Sequence, residues 1–388
     1  MCPMAFSDRD TDRDGLHLFN IDLHVSVIAD VKNILARWGH RITDWTLSNH
    51  SWVFGRRRDP IDVINENTWQ ALDAEMCKAF YRRYRNEFEH FDGFVVTHTP
   101  AFALLFIQWG KPIIIVNTTR YEQPFTLREP DWRWLDQELV DGVQRGQLRI
   151  VSNNKGDQAY LHEHAGLHSA HMPSLCDYTG AAYRGRRRRF VLQARAPELP
   201  RRLPWTLRRR FVLSHDMVQD GRLFRRRPYR WRELYDFRGF VHIPYQISTM
   251  SICEQYRASV PLFFPSKSFL LESHVGRPNE VLSQLSFFQV SDVQFCNDGL
   301  NRTQDPDVVR RWIDLADYYD PEYMPFIQYF ESYEHLAELL DTVDADAVSQ
   351  QMRVFNVRRE QRILDAWRGL LVEVFGRDAA EARSRALL

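Results

Sequence analysis

Short, nearly all-apolar runs alternate along this chain with stretches whose apolar residues recur at helical spacing. That alternation constrains the fold more than any other feature. The clearest run is 113–117, Ile-Ile-Ile-Val-Asn, apolar at successive positions and too short for a buried helix. It predicts a strand covered on both faces. Segments 16–21, 41–47, 91–97 and 147–153 read as further strands, and 24–38, 68–88, 100–109 and 132–145 as the helices between them, Gly39 stopping the first. A second series follows, with strands at 189–194, 211–214, 240–244 and 260–264 and short helices at 229–236 and 251–258. Helices at 332–340 and 347–375 close the chain, and no repeat of solenoid period is visible. Strand, helix, strand with short connections is the pattern of a doubly wound parallel sheet. Two such series predict an α/β protein of two units joined by a hinge at 172–189, the polar arm 1–14 being disordered.

With 388 residues, 44% of them hydrophobic and 26% charged, the chain has apolar side chains enough for one or two large cores. Disorder, collagen and coiled coil are excluded. The longest apolar stretch, 101–109, is far below the roughly 20 residues that span a bilayer. The first residues have neither a basic nor an apolar leader region, so no secretory signal is expected and a cytoplasmic location is the default. Cys2, Cys77, Cys176, Cys253 and Cys296 are scattered, which argues against a disulfide framework and a cysteine zinc site. His162, His164, His168 and His171 lack a carboxylate or Cys at zincin spacing and read as helix plus loop.

Net charge is zero but unevenly spread. Between Arg184 and Arg232 stand 17 Arg against Glu198, Asp216 and Asp220, a local excess of +14 in 49 residues. Such a stretch attracts anions. It reads as a solvated basic face, a phosphate cleft, a peripheral contact with an acidic membrane surface, or a polynucleotide site. Its aromatics, Phe190, Trp205, Phe211, Tyr229 and Trp231, are spaced as core residues, so nucleic acid is not expected.

No G-x-G-x-x-G, P-loop, G-x-S-x-G or H-E-x-x-H motif occurs. Three passages remain. The first joins Val95-Val-Thr-His-Thr-Pro-Ala-Phe-Ala-Leu104 to Gly110-Lys-Pro-Ile-Ile-Ile-Val116. The second is Val151-Ser-Asn153 leading past His162 to Pro173 and Asp177. The third runs from Phe240-Val-His-Ile-Pro-Tyr245 through Ser248-Thr-Met-Ser-Ile-Cys-Glu254 to Ala258-Ser-Val-Pro-Leu-Phe-Phe-Pro-Ser266. Together they resemble a GT-B glycosyltransferase, the third being similar to that family's donor-binding block. The resemblance implies two Rossmann-like domains with parallel sheets facing across a cleft: an N-terminal acceptor domain at 15–150, a C-terminal donor-binding domain at 151–345, and a helix at 346–388 crossing back. It implies a nucleotide-sugar donor and a carbohydrate acceptor, a glycan or glycoconjugate, with no metal cofactor. Retaining members often carry a second Glu seven residues before the first; Ile247 stands there, so retention and inversion both stay open.

The candidate donor residues are Arg195, Tyr245, Ser248, Thr249, Ser251 and Glu254. The free N–H groups of a helix opening at Ser251 would take a diphosphate, and Arg195 would add a bidentate contact. Ser251 and Glu254 also fit a capping box. Asp22, His24 and His98 follow strand ends, where open α/β sheets bind ligands. Inverting transfer to a hydroxyl needs a base, for which His suits. His24 with Asp22 beside it is the first candidate and His98 the second, against the plainer reading of structural histidines. Thr118, Arg120 and Glu122 are assigned to the acceptor side. The expected function is transfer of a sugar from a nucleotide-sugar to a hydroxyl; the rivals are a sugar-nucleotide epimerase of the same architecture and a non-catalytic two-lobed nucleotide- or carbohydrate-binding protein.

Overall fold

The structure is a computed structural model that describes residues 15–194, 203–213, 230–276, 281–282 and 306–376. In the first sheet the strands are β1 (His17–Asp22), β2 (Arg41–Thr46), β3 (Gly93–His98), β4 (Ile113–Asn117), β5 (Leu148–Ser152) and β6 (Ala170–His171). They are all parallel, in the order β2-β1-β3-β4-β5-β6. Every residue of β4 is buried, as its unbroken apolar run requires. Packed with this sheet are α1 (Val25–Ala36), α2 (Ala74–Phe88), α3 (Glu129–Gln144) and α4 (Lys155–Ala165).

The second sheet comprises β7 (Phe190–Gln193), β8 (Phe211–Leu213), β9 (Phe240–His242), β10 (Leu262–Pro265) and β11 (Gln328–Phe330). It too is parallel, in the order β11-β10-β9-β7-β8. Its helices are α5 (Trp205–Arg208), α6 (Trp231–Leu234), α7 (Met250–Arg257), α8 (Lys267–Gly276), α9 (Pro306–Asp314) and α10 (Tyr333–Thr342). The last helix, α11 (Ala345–Phe375), has 31 residues and is therefore about 46 Å long. Near its start Asn356 donates to the carbonyl of Tyr256 at 2.8 Å. Further on, Ile363, Trp367 and Leu371 bury themselves with Leu18, Val27 and Val31, and Arg149 meets Glu373 at 2.5 Å. One helix thus contacts elements of both sheets.

Two local readings need correction. The run 100–109 forms two 3-10 turns, Pro100–Leu105 and Ile107–Trp109, in place of one α-helix. It is apolar nearly all round, so no polar face holds it in α geometry, and tight bonds such as Phe106 N–H to Ala103 at 2.9 Å keep residues 100–106 buried. Second, the boundary expected at 150 falls inside β5: the chain stays in the first sheet through His171 before it crosses over. In the histidine segment read as helix plus loop, α4 carries His162 and His164. Asn154 caps it by accepting from the Asp157 N–H at 2.8 Å, and Gly166 ends it at φ 67°. The polar arm 1–14 lies outside the described residues.

Candidate functional site

Strand order decides where a ligand fits. In the first sheet the order reverses at β1, with β2 on one side and β3 on the other; in the second it reverses at β7, between β8 and β9. In open α/β sheets the crevice beyond the carboxyl ends of such strands is the ligand site. A cleft of about 320 Å³ lies between the two reversal points. His24, Ser26, His50 and Trp52 line it from the first sheet, and Gln193, Trp231, Tyr245, Thr249, Ser251 and Glu254 from the second.

His24 follows β1 and stands at the N-cap position of α1 without making a side-chain capping bond. Its ring stacks on His98 at 5.3 Å between centroids, 23° from parallel. His98 ends β3 with φ 65°, a left-handed backbone that a non-glycine residue rarely adopts, and its Nδ1 bonds the Thr99 hydroxyl at 3.0 Å. Burial lowers the His24 pKa to about 4, with the charge of His50 adding to it. Burial and the His24 charge lower that of His98 to about 3. Both rings are therefore neutral at pH 7.

Asp22 is fully buried, does not line the cleft and makes no hydrogen bond to His24. It pairs across the sheet with Thr46, whose hydroxyl donates to it at 3.1 Å. Burial, and then the nearby Asp44 carboxylate, raise its pKa to about 7. The expected carboxylate beside the imidazole is replaced by a stack of two imidazoles. The reason is geometric: alternation holds only while the strand lasts, and β1 ends at Asp22, one residue before Leu23 turns the chain into α1.

On the other wall α7 starts at Met250 with Thr249 as N-cap. Ser251 is therefore a helical residue and no capping box forms. Its hydroxyl is 3.0 Å from that of Thr249 and accepts from Gln193 at 3.0 Å. Gln255 donates to Gln193 at 3.1 Å, and His242 bonds Gln255 at 2.7 Å. This chain links the ends of β7 and β9 to the first turn of α7. Gln193 was legible in principle, since it ends a predicted strand as the other candidates do.

Glu254 is buried, lines the cleft and accepts from both Tyr178 and, at 2.8 Å, the indole of Trp231. Burial raises its pKa, while the hydrogen bonds from Tyr178, Trp231 and Ser26 oppose the rise. Tyr178 and Trp231 carry no local motif, and nothing in the sequence pattern singles them out. Tyr245 and Thr249 line the cleft; Ser248 directly precedes Thr249 and is half-buried. Arg195 lies outside the described residues.

The acceptor-side candidates are placed elsewhere. Arg120 and Glu122 are 4% and 0% exposed and pair with each other at 3.2 Å, with Thr126 donating to Glu122 at 3.1 Å. Neither lines the cleft, nor does Thr118, whose hydroxyl is buried without a partner. The chain turns inward after β4, so polarity here marks an internal ion pair. Among the described residues no group of three or more His, Cys, Asp or Glu side chains is arranged to hold a metal ion, and no helix is long and apolar enough to cross a membrane.

Two parallel doubly wound units that face each other across a cleft, with a C-terminal helix crossing back, form the GT-B arrangement. Several solved structures that match over most of the chain are glycosyltransferases. The kitacinnamycin glycotransferase is 12% identical, covering 96% of this chain and 99% of its own, at a TM-score of 0.42. SnogD from Streptomyces nogalater is 15% identical over 84% of this chain and 98% of its own, at 0.39. A UGT transferase from Siraitia grosvenorii, solved with UDP, is 10% identical over 90% and 98%, at 0.43. Superpositions this loose leave the fold to rest on the chain's own sheet topology and the function on its own cleft. No protein-family model and no curated protein matches the sequence.

Proposed function

We propose that this protein is a glycosyltransferase that binds a nucleotide-sugar against the amino end of α7 and transfers the sugar to a hydroxyl of a bound acceptor, His24 acting as the base. One observation carries the reading: His24 and the first turn of α7 line the same cleft from opposite walls. The chemistry needs both. Breaking the bond between sugar and diphosphate leaves negative charge on the diphosphate, and the positive end of a helix with hydroxyls at Thr249 and Ser251 stabilises charge there. The acceptor hydroxyl must lose its proton as it attacks, and a neutral imidazole facing the cleft can take it. In this reading Tyr245 and Glu254 border the nucleoside, Glu254 toward the ribose hydroxyls. His98 positions His24 through the ring stack and takes no proton itself. Helix N–H groups and hydroxyls supply the stabilisation, with no metal in the donor site.

The test is a panel of UDP-, GDP- and CMP-sugars, each followed by melting temperature and by release of free nucleotide with a mixed acceptor set. One nucleotide class is expected to stabilise the protein, by about 2.7 kcal/mol at a hundredfold excess over Kd. If none binds, the reading falls. If a nucleotide-sugar binds and is epimerised, or binds without turnover, the transferase reading gives way to the corresponding rival.

A further inference from the structure

The described arginines of the 184–232 stretch do not line the cleft, and the placement of several follows from the register of the second sheet. β7 and β8 are parallel neighbours with Phe190 opposite Phe211. The residues just before each strand are therefore also neighbours, which brings Arg189 beside Arg210 at the amino end of the sheet, with Arg186 to Arg188 leading into one strand and Arg208 and Arg209 into the other. The cleft lies beyond the carboxyl ends of the same strands, so this edge is on the far side of the sheet from it. Some of these side chains are committed. Arg210 meets Asp341 at 2.9 Å, Arg189 bonds the carbonyl of Phe211, and Arg187 lies over the Phe237 ring at 4.6 Å. Arg186, Arg188, Arg208 and Arg209 are exposed and form no ion pair with any described residue. Beside them stands Trp205, 72% exposed, because the short α5 buries Leu207 as its anchor and turns the indole outward.

We propose that this edge docks the protein on an anionic phospholipid surface, the arginines meeting lipid phosphates and the Trp205 indole entering the interfacial layer. Asp341, Asp344 and Asp346 border Arg187, Arg188 and Arg238 here, Asp341 paired with Arg210 and Asp344 capping α11, so the arginines outnumber the carboxylates. Charge complementarity then selects an anionic partner, and an amphipathic indole among arginines suits the headgroup region. A single-stranded polynucleotide is the other polyanion to consider, but it would need several aromatic faces for stacking. Among the described residues of the stretch Phe190 and Phe211 are buried and Trp231 faces the cleft, which leaves Trp205 alone. Docking by this edge keeps the cleft turned away from the membrane. The proposal does not depend on the transferase reading.

The experiment is co-sedimentation of the full chain with phosphatidylcholine vesicles, with and without about 30 mol% phosphatidylserine, at low salt and at about 0.5 M, where the Debye length shrinks to a few ångströms. Binding is expected only to the anionic vesicles at low salt. A variant carrying Arg208→Glu and Arg209→Glu should bind at least about tenfold more weakly. Trp205→Ala should weaken binding several-fold without changing its salt dependence. Both variants should melt with the wild type. The proposal is overturned if the wild type ignores anionic vesicles, if it binds neutral ones equally, if either variant binds as the wild type does, or if a single-stranded RNA of about 20 nucleotides displaces it from vesicles and binds more tightly.

Discussion

The indole N–H of Trp231 donates to Glu254 at 2.8 Å while the Tyr178 hydroxyl donates to the other carboxylate oxygen. One buried carboxylate thus joins the interdomain crossover, α6 and α7 at the floor of the cleft.

The first prediction concerns Glu254. Glu254→Gln keeps the shape but leaves one accepting oxygen for two donors: if it keeps the Trp231 N–H, the amide N–H donates to the Tyr178 oxygen and the Tyr178 O–H loses its acceptor. Leaving a buried donor unmet costs about 1–3 kcal/mol. Denaturant unfolding should show that loss, whether or not nucleotide affinity changes. Unaltered stability would mean that the two hydrogen bonds contribute nothing net.

The second concerns His24. General-base catalysis contributes about 10²–10⁴-fold, so His24→Ala should lower turnover by that order and leave the nucleotide-induced shift in melting temperature intact. Because burial holds the imidazole near pKa 4, kcat/KM should be flat from about pH 5 to 8 as far as His24 is concerned. An acid limb centred near the ordinary histidine value would show a solvated ring and sink this account.

The third concerns Asp22 and pH. Its folded pKa of about 7 is above the ordinary carboxyl value, so between about pH 4 and 7 the folded state holds a proton that the unfolded state has lost. Stability from this group is therefore full at low pH and falls as pH rises through 7. A shift of that size corresponds to a few kcal/mol. Asp22→Asn retains an oxygen to accept from Thr46 and cannot ionise. It should match the wild type near pH 4 and exceed it in stability at pH 8. Parallel stability curves for the two proteins across that range would contradict the raised pKa.

The fourth concerns the contact between α4 and the loop before α7. A Cβ at Gly156 would come within 2.1 Å of the Ile247 side chain, itself 1% exposed. Gly156→Ala should cost about 1–3 kcal/mol through overpacking. Adding Ile247→Val, which shortens the clashing end, should recover most of it, and a double-mutant cycle measures the coupling. Strict additivity would show that the loop moves aside freely.

Much of the secondary structure was legible because it is written in local periodicity. Ile113 to Asn117 could be nothing but a covered strand, and the helices at α1, α3, α7 and α11 appear within a few residues of the pattern that predicts them. The exception has a local cause as well. At 100–109 an apolar run without a polar face gave no period to distinguish 3-10 from α geometry.

What the sequence by itself determined, then, is the alternation of elements and the polar residues at their ends, His24, His98, Gln193 and Ser251 among them. The tertiary structure alone decided which of these meet. His24 stacks on His98, 74 positions later, because β3 lies next to β1. Asp22 turns to Thr46 because β2 lies on the other side. Arg120 and Glu122 look like cleft residues by their place after β4, yet they close on each other inside. Glu254 finds Tyr178 and Trp231, 76 and 23 residues away. Side-chain periodicity reports only which face of an element is buried. Strand order and crossover bring distant side chains together, and those are set by how the whole chain packs.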